Sequence, residues 1–238
     1  MTTVWRYMDL WKFESILEKK SLYFGTAASQ SDKLEGIPTT GEKLMRSRHY
    51  ASLPRVHQSS LLNNDETQDE YERLLRWIIN CWHINDKLNP KAWDEYITDE
   101  QAKGLAIKTT LDVLNKNFDV YTSKEVLKDK VKYIDRSTYK PKTLHSEGKI
   151  FEKRDSLSWE NEYRFVIDTM FAPVENQRGS LTEVSERHKQ SNGSFGYFIL
   201  VDVKALITDV YIHPNAPSNF QNEVEILCRK HGLSPNIY

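Results

Sequence analysis

The chain has 238 residues, with 33 Lys+Arg against 34 Asp+Glu for a formal net charge of −1. Its 39% hydrophobic and 28% charged residues exclude a disordered chain, and the charge balance excludes a surface that grips nucleic acid by bulk electrostatics. Nine glycines and eight prolines are too few for collagen-like or linker-rich architectures.

Thr3–Met8 reads as a strand, followed by an amphipathic helix from Asp9 to Lys20 with Asp9 as its cap and Leu10, Phe13 and Leu17 on one stripe. Ser21–Gly25 is a compact apolar strand. From Thr26 to about Asp65 the periodicity fades, apart from a capping box of Thr39 with Glu42 that opens a short helix. Residues 26–65 are therefore expected to form a lid or insertion. Asp69–Arg76 reads as helix and Trp77–His83 as strand. Asn89 and Pro90 open a helix that carries Trp93 and Tyr96. Gly104–Thr109 and Lys130–Asp135 are expected strands, with a short helix at Leu111–Leu114 between them. Trp159–Asp168, Phe195–Val203 and Ile207–His213 complete the strands, and 170–192 is expected to be a mobile loop. Ser218 with Gln221 suggests a capping box for a last helix bearing Phe220, Val224 and Leu227 and ending at Gly232. Strands and helices mix without strict alternation, which predicts one α+β domain over 1–238 with a mixed or antiparallel sheet.

Cys81 and Cys228 cannot make a disulfide framework or a cysteine zinc site, and the seven histidines show no ligand spacing, so no metal site is expected. The charged N-terminus is no signal peptide and no stretch approaches the roughly 18 apolar residues of a membrane span, so a cytoplasmic location is expected.

Three segments carry candidate chemistry. In Ser158–Val166, strand alternation places Glu160, Glu162 and Arg164 on one face and Trp159, Tyr163 and Phe165 on the other. Two adjacent carboxylates suit a sugar substrate: one accepts a ribose hydroxyl while negative charge stabilises a cationic anomeric carbon. The alternative is a solvated face with a cross-strand ion pair. In Val4-Trp5-Arg6-Tyr7, Arg6 can fork onto a phosphate while a ring stacks on a base or nicotinamide; the alternative is an Arg at a sheet edge above buried aromatics. In Asn80-Cys81-Trp82-His83, His83 is either an acid or base or a satisfied partner in a polar network, and Cys81 suits a core position better than a nucleophile.

The order of these motifs resembles a bacterial family known as domain of unknown function 2971. The likeness runs through Arg6-Tyr7, Leu22-Tyr23-Phe24, Cys81-Trp82-His83, Trp93 with Tyr96, Gly104–Thr110, Val131–Asp135, Lys153-Arg154, the Glu160/Glu162/Arg164 run and Val210–Pro214. Two turns depart from the family pattern: Ser31-Asp32-Lys33-Leu34-Glu35 stands for N-D-P-F-E, and Asn89–Trp93 for E-S-x-x-M-W. The layout is also similar to ADP-ribosyltransferases, which implies a split sheet holding NAD in a cleft. In that reading Glu162 binds the nicotinamide ribose and Glu160 orients or deprotonates the acceptor. Arg6 steadies the pyrophosphate or adenosine side, Tyr23 or Phe24 walls the nicotinamide pocket, and Tyr7, Trp82, His83 and Arg164 complete the binding set. The resemblance implies transfer of ADP-ribose to a macromolecule, protein or nucleic acid, in a toxin or phage-defence setting with a partner or antitoxin protein. The alternative is a non-catalytic nucleotide- or protein-sensing module; an RNA- or DNA-acting enzyme that does not use NAD ranks last.

Overall fold

The computed structural model describes residues 1–119, 125–141, 148–171, 175–176, 179–180, 182–183 and 196–238. β1 (Thr3–Asp9) leads through α1 (Leu10–Lys19) to β2 (Ser21–Thr26). Next come α2 (Thr40–Ala51) and α3 (Arg55–Tyr71), which widens into a π turn at Glu72–Arg76. After it run β3 (Trp77–Ile84), α4 (Pro90–Tyr96), β4 (Gly104–Thr110), α5 (Leu111–Phe118), β5 (Val126–Lys130), β6 (Lys132–Ile134) and β7 (Glu152–Arg154). β8 (Glu162–Asp168) precedes three two-residue strands, β9 (Glu175–Asn176), β10 (Gly179–Ser180) and β11 (Thr182–Glu183). The chain closes with β12 (Gly196–Leu200), α6 (Val203–Leu206), β13 (Asp209–Ile212), α7 (Phe220–Lys230) and β14 (Asn236–Ile237).

A strand has two hydrogen-bonding edges, and β3 has three neighbours. β8 occupies one edge over seven pairs, from Trp77↔Asp168 to His83↔Glu162. β1 and β2 must share the other. β1 holds its upper end through Val4↔Ile84 and Trp5↔His83, and β2 its lower end through Gly25↔Ile79 and Thr26↔Ile78. Along Asn80, Cys81 and Trp82 neither strand pairs, so the sheet splits there. β4, β13 and β14 extend from β1, β12 and β11 extend from β2, and β5 lies beyond β8. The expected single α+β domain with a split, largely antiparallel sheet is what the chain forms.

The face under α1, α5 and α7 holds the main core, with Val4, Met8, Phe13, Leu17, Phe24, Trp82, Phe118, Phe165 and Phe220. Each fully buried side chain of this size contributes about 1.5–3 kcal/mol. The opposite face carries a smaller aromatic cluster, Trp5, Tyr7 and Trp93, and an aliphatic one around Trp77, Ile79 and Val166.

Several expectations change. The stretch 26–65 is largely helical: the Thr39/Glu42 capping box is present and opens α2, but α3, with polar residues all round, escapes a reading based on apolar period. Asp9 makes no capping bond; its carboxylate instead accepts from Thr98 N at 2.7 Å and Thr98 Oγ1 at 2.8 Å. Ser218 and Gln221 form no box, because the last helix starts at Phe220 behind Asn219. Lys130–Asp135 belongs to two strands in different sheets: β5 on the main sheet, and β6 in a small parallel pair with β7. Most of the loop expected at 170–192 lies outside the described residues. No helix among the described residues is long and apolar enough to cross a membrane.

Candidate functional site

The split is the site. A cavity of about 260 Å³ opens between β1 and β2, lined by Arg6, Tyr7, Met8 and α1 on one side, Tyr23, Gly25 and Gln30 on the other, and Cys81, His83 and Tyr96 at its back. Its size is just below the usual range of small-molecule sites. Where β2 leaves β3, the carbonyl of Tyr23 loses its strand partner. Asn80 Nδ2 donates to it at 2.8 Å and Arg6 Nη2 at 3.4 Å, so two side chains replace the missing ladder. Asn80 also accepts from Trp82 Nε1 at 2.7 Å.

Arg6 therefore has a structural task, but not for its whole fork. Its Nη1 is shielded from solvent and has no hydrogen-bond partner. Burial holds the guanidinium down to about 10, against the influence of Cys81 and Tyr96. A buried orphan donor costs about 1–3 kcal/mol, more when charged, and a bound anionic oxygen removes that cost.

Two glycines shape the cavity wall. Gly25 and Gly196 pair across β2–β12. A Cβ on Gly196 would meet Tyr23 Oη at 2.5 Å, and one on Gly25 would meet Tyr23 Cε1 at 3.3 Å. The Tyr23 ring thus rests over this bare backbone, and burial pushes its hydroxyl up to about 12.

His83 is buried in an aromatic box, with Tyr7 and Tyr96 edge-on at 5.6 and 5.0 Å and Trp159 stacked at 6.2 Å. Its Nδ1 lies 2.7 Å from the Glu160 carbonyl oxygen, which only accepts, so Nδ1 carries the proton and Nε2 is left as an acceptor. Burial lowers its pKa, although Glu162 and the Glu160 carbonyl pull the other way, and the ring is neutral near pH 7. Burial pushes the Cys81 thiol up to about 12, with Glu162 adding to it, so Cys81 is no nucleophile.

The acids stand behind this wall. Glu162 lies directly across the β3–β8 pair from His83, and both Glu160 and Glu162 are buried. Glu160 is not on the strand. It ends a 3-10 turn, Asp155–Glu160, and Asn161 in left-handed backbone (φ 43°) swings the chain so that Glu160 returns beside Glu162. Asn161 is held there by its side chain, which donates to Ile84 O at 2.5 Å. Lys153 binds both acids: Nζ bonds Glu160 closely and reaches Glu162 Oε1 at 3.2 Å. Arg164 completes the cluster with all five of its donors engaged. It forks onto Glu35 at 2.6 and 2.9 Å, onto Glu162 at 3.0 and 2.8 Å, and reaches Ile150 O at 2.6 Å.

The two acids differ in charge state. Burial would raise Glu162, but Arg164 and Lys153 outweigh it and hold it well below the usual carboxylate range. Burial and the Glu162 charge raise Glu160, and Lys153 recovers only part of that. Paired carboxyls pushed apart in this way mark an ionised group beside one able to trade a proton.

Of the nine residues singled out from sequence, the cavity takes Arg6, Tyr7, Tyr23 and His83. Phe24 and Trp82 are corrections: both are wholly buried in the main core, on strand positions facing away from the Tyr23 and His83 side. Arg164 is also corrected from ligand-binding to structural, since it has no donor to spare. Glu160 and Glu162 are adjacent, as expected, but neither lines the cavity. Trp159, expected on the opposite face from the acids, packs with the Trp5/Tyr7 cluster on their side. Sequence reasoning missed Lys153 and Glu35. Both had a signal, the Lys153-Arg154 pair and the glutamate of the 31–35 turn, and neither carried a role.

No protein-family model matches the chain, and no curated protein matches it. Among solved structures, DarT from Thermus sp. 2.9 in complex with NAD+ aligns at 9% identity and TM-score 0.40, over 99% of this chain and 93% of that one. The complexes of the same protein with carba-NAD+ and with ADP-ribosylated ssDNA align at 10% identity. Their TM-scores are 0.38 and 0.39, over 99% of this chain and 94% and 92% of those chains. Likeness this slight carries no weight for the site, which stands on its own geometry.

Proposed function

We propose that the chain is an ADP-ribosyltransferase-like enzyme that cleaves NAD and passes ADP-ribose to a macromolecular acceptor. We further propose that it belongs with the domain of unknown function 2971 family its motif order resembles. The observation that carries the reading is the split: an orphaned Arg6 donor at a cavity whose back wall, His83, separates it by one strand from an unequally charged acid pair. In this reading Arg6 Nη1 takes an oxygen of the pyrophosphate, and the aromatic wall of Tyr7, Tyr23, His83 and Tyr96 receives a ring. The glycosidic C–N bond breaks with its electron pair going to the nicotinamide nitrogen. The ionised Glu162 stabilises the cationic ribose. The acceptor attacks the anomeric carbon and its proton passes to Glu160 in the carboxylate form.

The test is chromatographic detection of nicotinamide released from NAD, beside NAD-induced thermal stabilisation. Wild type is expected to release nicotinamide. Glu160→Gln is expected to keep the thermal shift while turnover falls about 100-fold or more, and Arg6→Gln to lose the shift. One observation favours a second reading, a non-catalytic sensor: both acids are buried, compensated by Lys153 and Arg164, and absent from the cavity lining. A thermal shift with no nicotinamide release, with protein and nucleic-acid acceptors supplied in turn, would establish that alternative.

A further inference from the structure

The inference that follows rests on the enzymatic reading above and concerns the group that governs its acid pair. Two carboxylates close together in a buried site repel, and one charge is lost unless a cation compensates it. Lys153 is itself buried and bonds both acids. Its strand, β7, lies outside the main sheet and runs parallel to β6, with Tyr133↔Lys153 in register. The small pair is pinned around that position. Glu152 accepts the Tyr139 hydroxyl, Arg154 reaches Asp32 at 3.5 Å, and the Tyr133 hydroxyl oxygen accepts the Glu162 N–H at 2.9 Å. The appendage thus delivers one ammonium to one point. A buried ammonium is costly, and an apolar residue of similar volume often serves stability as well or better, so its presence here calls for a role beyond packing.

Around the Glu160–Glu162 pair stand Lys153 from β7, Arg164 from β8, His83 and Cys81 from β3, Tyr96 from α4 and Tyr133 from β6, with Glu35 from the segment after β2 on the far side of Arg164. Two cations meet three carboxylates, so the cluster is neutral when one carboxyl holds a proton. Glu162 has two cationic partners and Glu160 one. We propose that Lys153 is a positioning residue whose ammonium favours the carboxylate form of Glu160, and thereby sets the pH at which Glu160 can accept a proton from the acceptor.

The experiment compares wild type, Lys153→Met and Lys153→Arg in the pH profile of nicotinamide release. Lys153→Met is expected to move the acid limb up by about one pH unit or more, a roughly tenfold loss on the acid side, with Lys153→Arg returning it toward wild type. A fall of equal size at every pH, or an unmoved limb, overturns the proposal. Lys153→Gln, which keeps a donor without the charge, serves as the second variant should Lys153→Met fail to fold. The same proteins are followed by carboxyl ¹³C NMR, with Glu160→Gln identifying the Glu160 resonance. If wild type releases no nicotinamide, the enzymatic reading fails, and the titration decides the role of Lys153 alone. An upward-displaced Glu160 midpoint in the charge-free variant supports it; an unchanged midpoint overturns it.

Discussion

The two ends of β8 carry two buried ion clusters of different design. At the Asp168 end, Arg76 forks onto Asp168 at 3.0 and 2.8 Å and reaches Glu72 at 2.9 Å. Lys149 joins Asp69 at 2.6 Å and Glu72 at 2.8 Å, and Arg46 forks onto Asp69 at 2.8 and 3.1 Å. Burial there works against the charged forms of Asp69 and Glu72. Arg46 and Lys149 outweigh it at Asp69, Lys149 and Arg76 at Glu72, and both carboxylates stay below their usual range. At the Glu162 end the same kinds of residues leave Glu160 raised instead. The difference lies in matching. Asp168, Glu72 and Asp69 of the first cluster each have at least one cation in ion-pair contact, which makes a clamp between the helical 40–76 segment and the sheet. The second cluster is one cation short, and it is the one beside the cavity.

The largest expected effect falls on the cluster at the cavity. Arg164→Met leaves Glu35 buried without its cation and Glu162 with Lys153 alone, and should cost about 3–5 kcal/mol, read by denaturant unfolding. Arg76→Met at the other end, where the side chain retains some exposure, should cost about 1.5–3 kcal/mol. If the clamp is only a clamp, this second variant binds NAD with an undiminished thermal shift. A lost shift in folded Arg76→Met would erase the distinction between the two ends.

Next in size is a change at the cavity wall that leaves both clusters alone. Gly25→Ala meets only side chains, Ser29 Oγ at 2.5 Å, Gln30 Nε2 at 3.3 Å and Tyr23 Cε1 at 3.3 Å. The fold should tolerate it at about 1 kcal/mol, while Tyr23 is pushed toward the cavity and the NAD-induced shift shrinks. Gly196→Ala meets the Phe24 carbonyl oxygen at 2.2 Å and should be worse for stability. An unaltered shift in Gly25→Ala would mean that Tyr23 does not set the cavity's width.

How much of this was legible in the sequence follows from what each signal depends on. Period-2 and 3.6 patterns report burial against a core, so β1, α1, β2 and β3 read well, and α3 did not. Alternation correctly joined Glu162 with Arg164. It put Glu160 beside them by assuming a strand, and the structure reaches that proximity through Asn161 in left-handed backbone, which alternation cannot see. Arg6 and His83 were visible as residue types in an aromatic setting. The split that unites them was not, because it depends on two strands sharing one edge of a third. Phe24 and Trp82 were misassigned because a strand's inward and outward faces look alike until the second layer is known. Lys153 stood in plain view, but a lysine is ordinarily solvated, and only tertiary structure shows one buried between two acids.

The smallest effect is the sharpest test of the unmatched cluster. A carboxyl whose pKa is raised on folding holds a proton that the unfolded chain has released. The stability it contributes is present at low pH and is lost as pH rises through the folded value. Glu160 is such a group, and glutamine at that position does not titrate. The stability difference between Glu160→Gln and wild type should therefore move in the variant's favour as pH is raised from about 5 to about 8. Losing the Lys153 bond offsets both ends of that range and leaves the slope. His83 contributes the opposite slope in both proteins, since its lowered value removes stability as pH falls, and it cancels in the difference. Asp69→Asn at the matched cluster should show no slope across that range, because a lowered carboxylate is ionised in both the folded and unfolded states there and loses its stability only on acidification below its unfolded value. Equal slopes for the two variants, measured by urea unfolding across that range, would show that the two ends of β8 are charged alike.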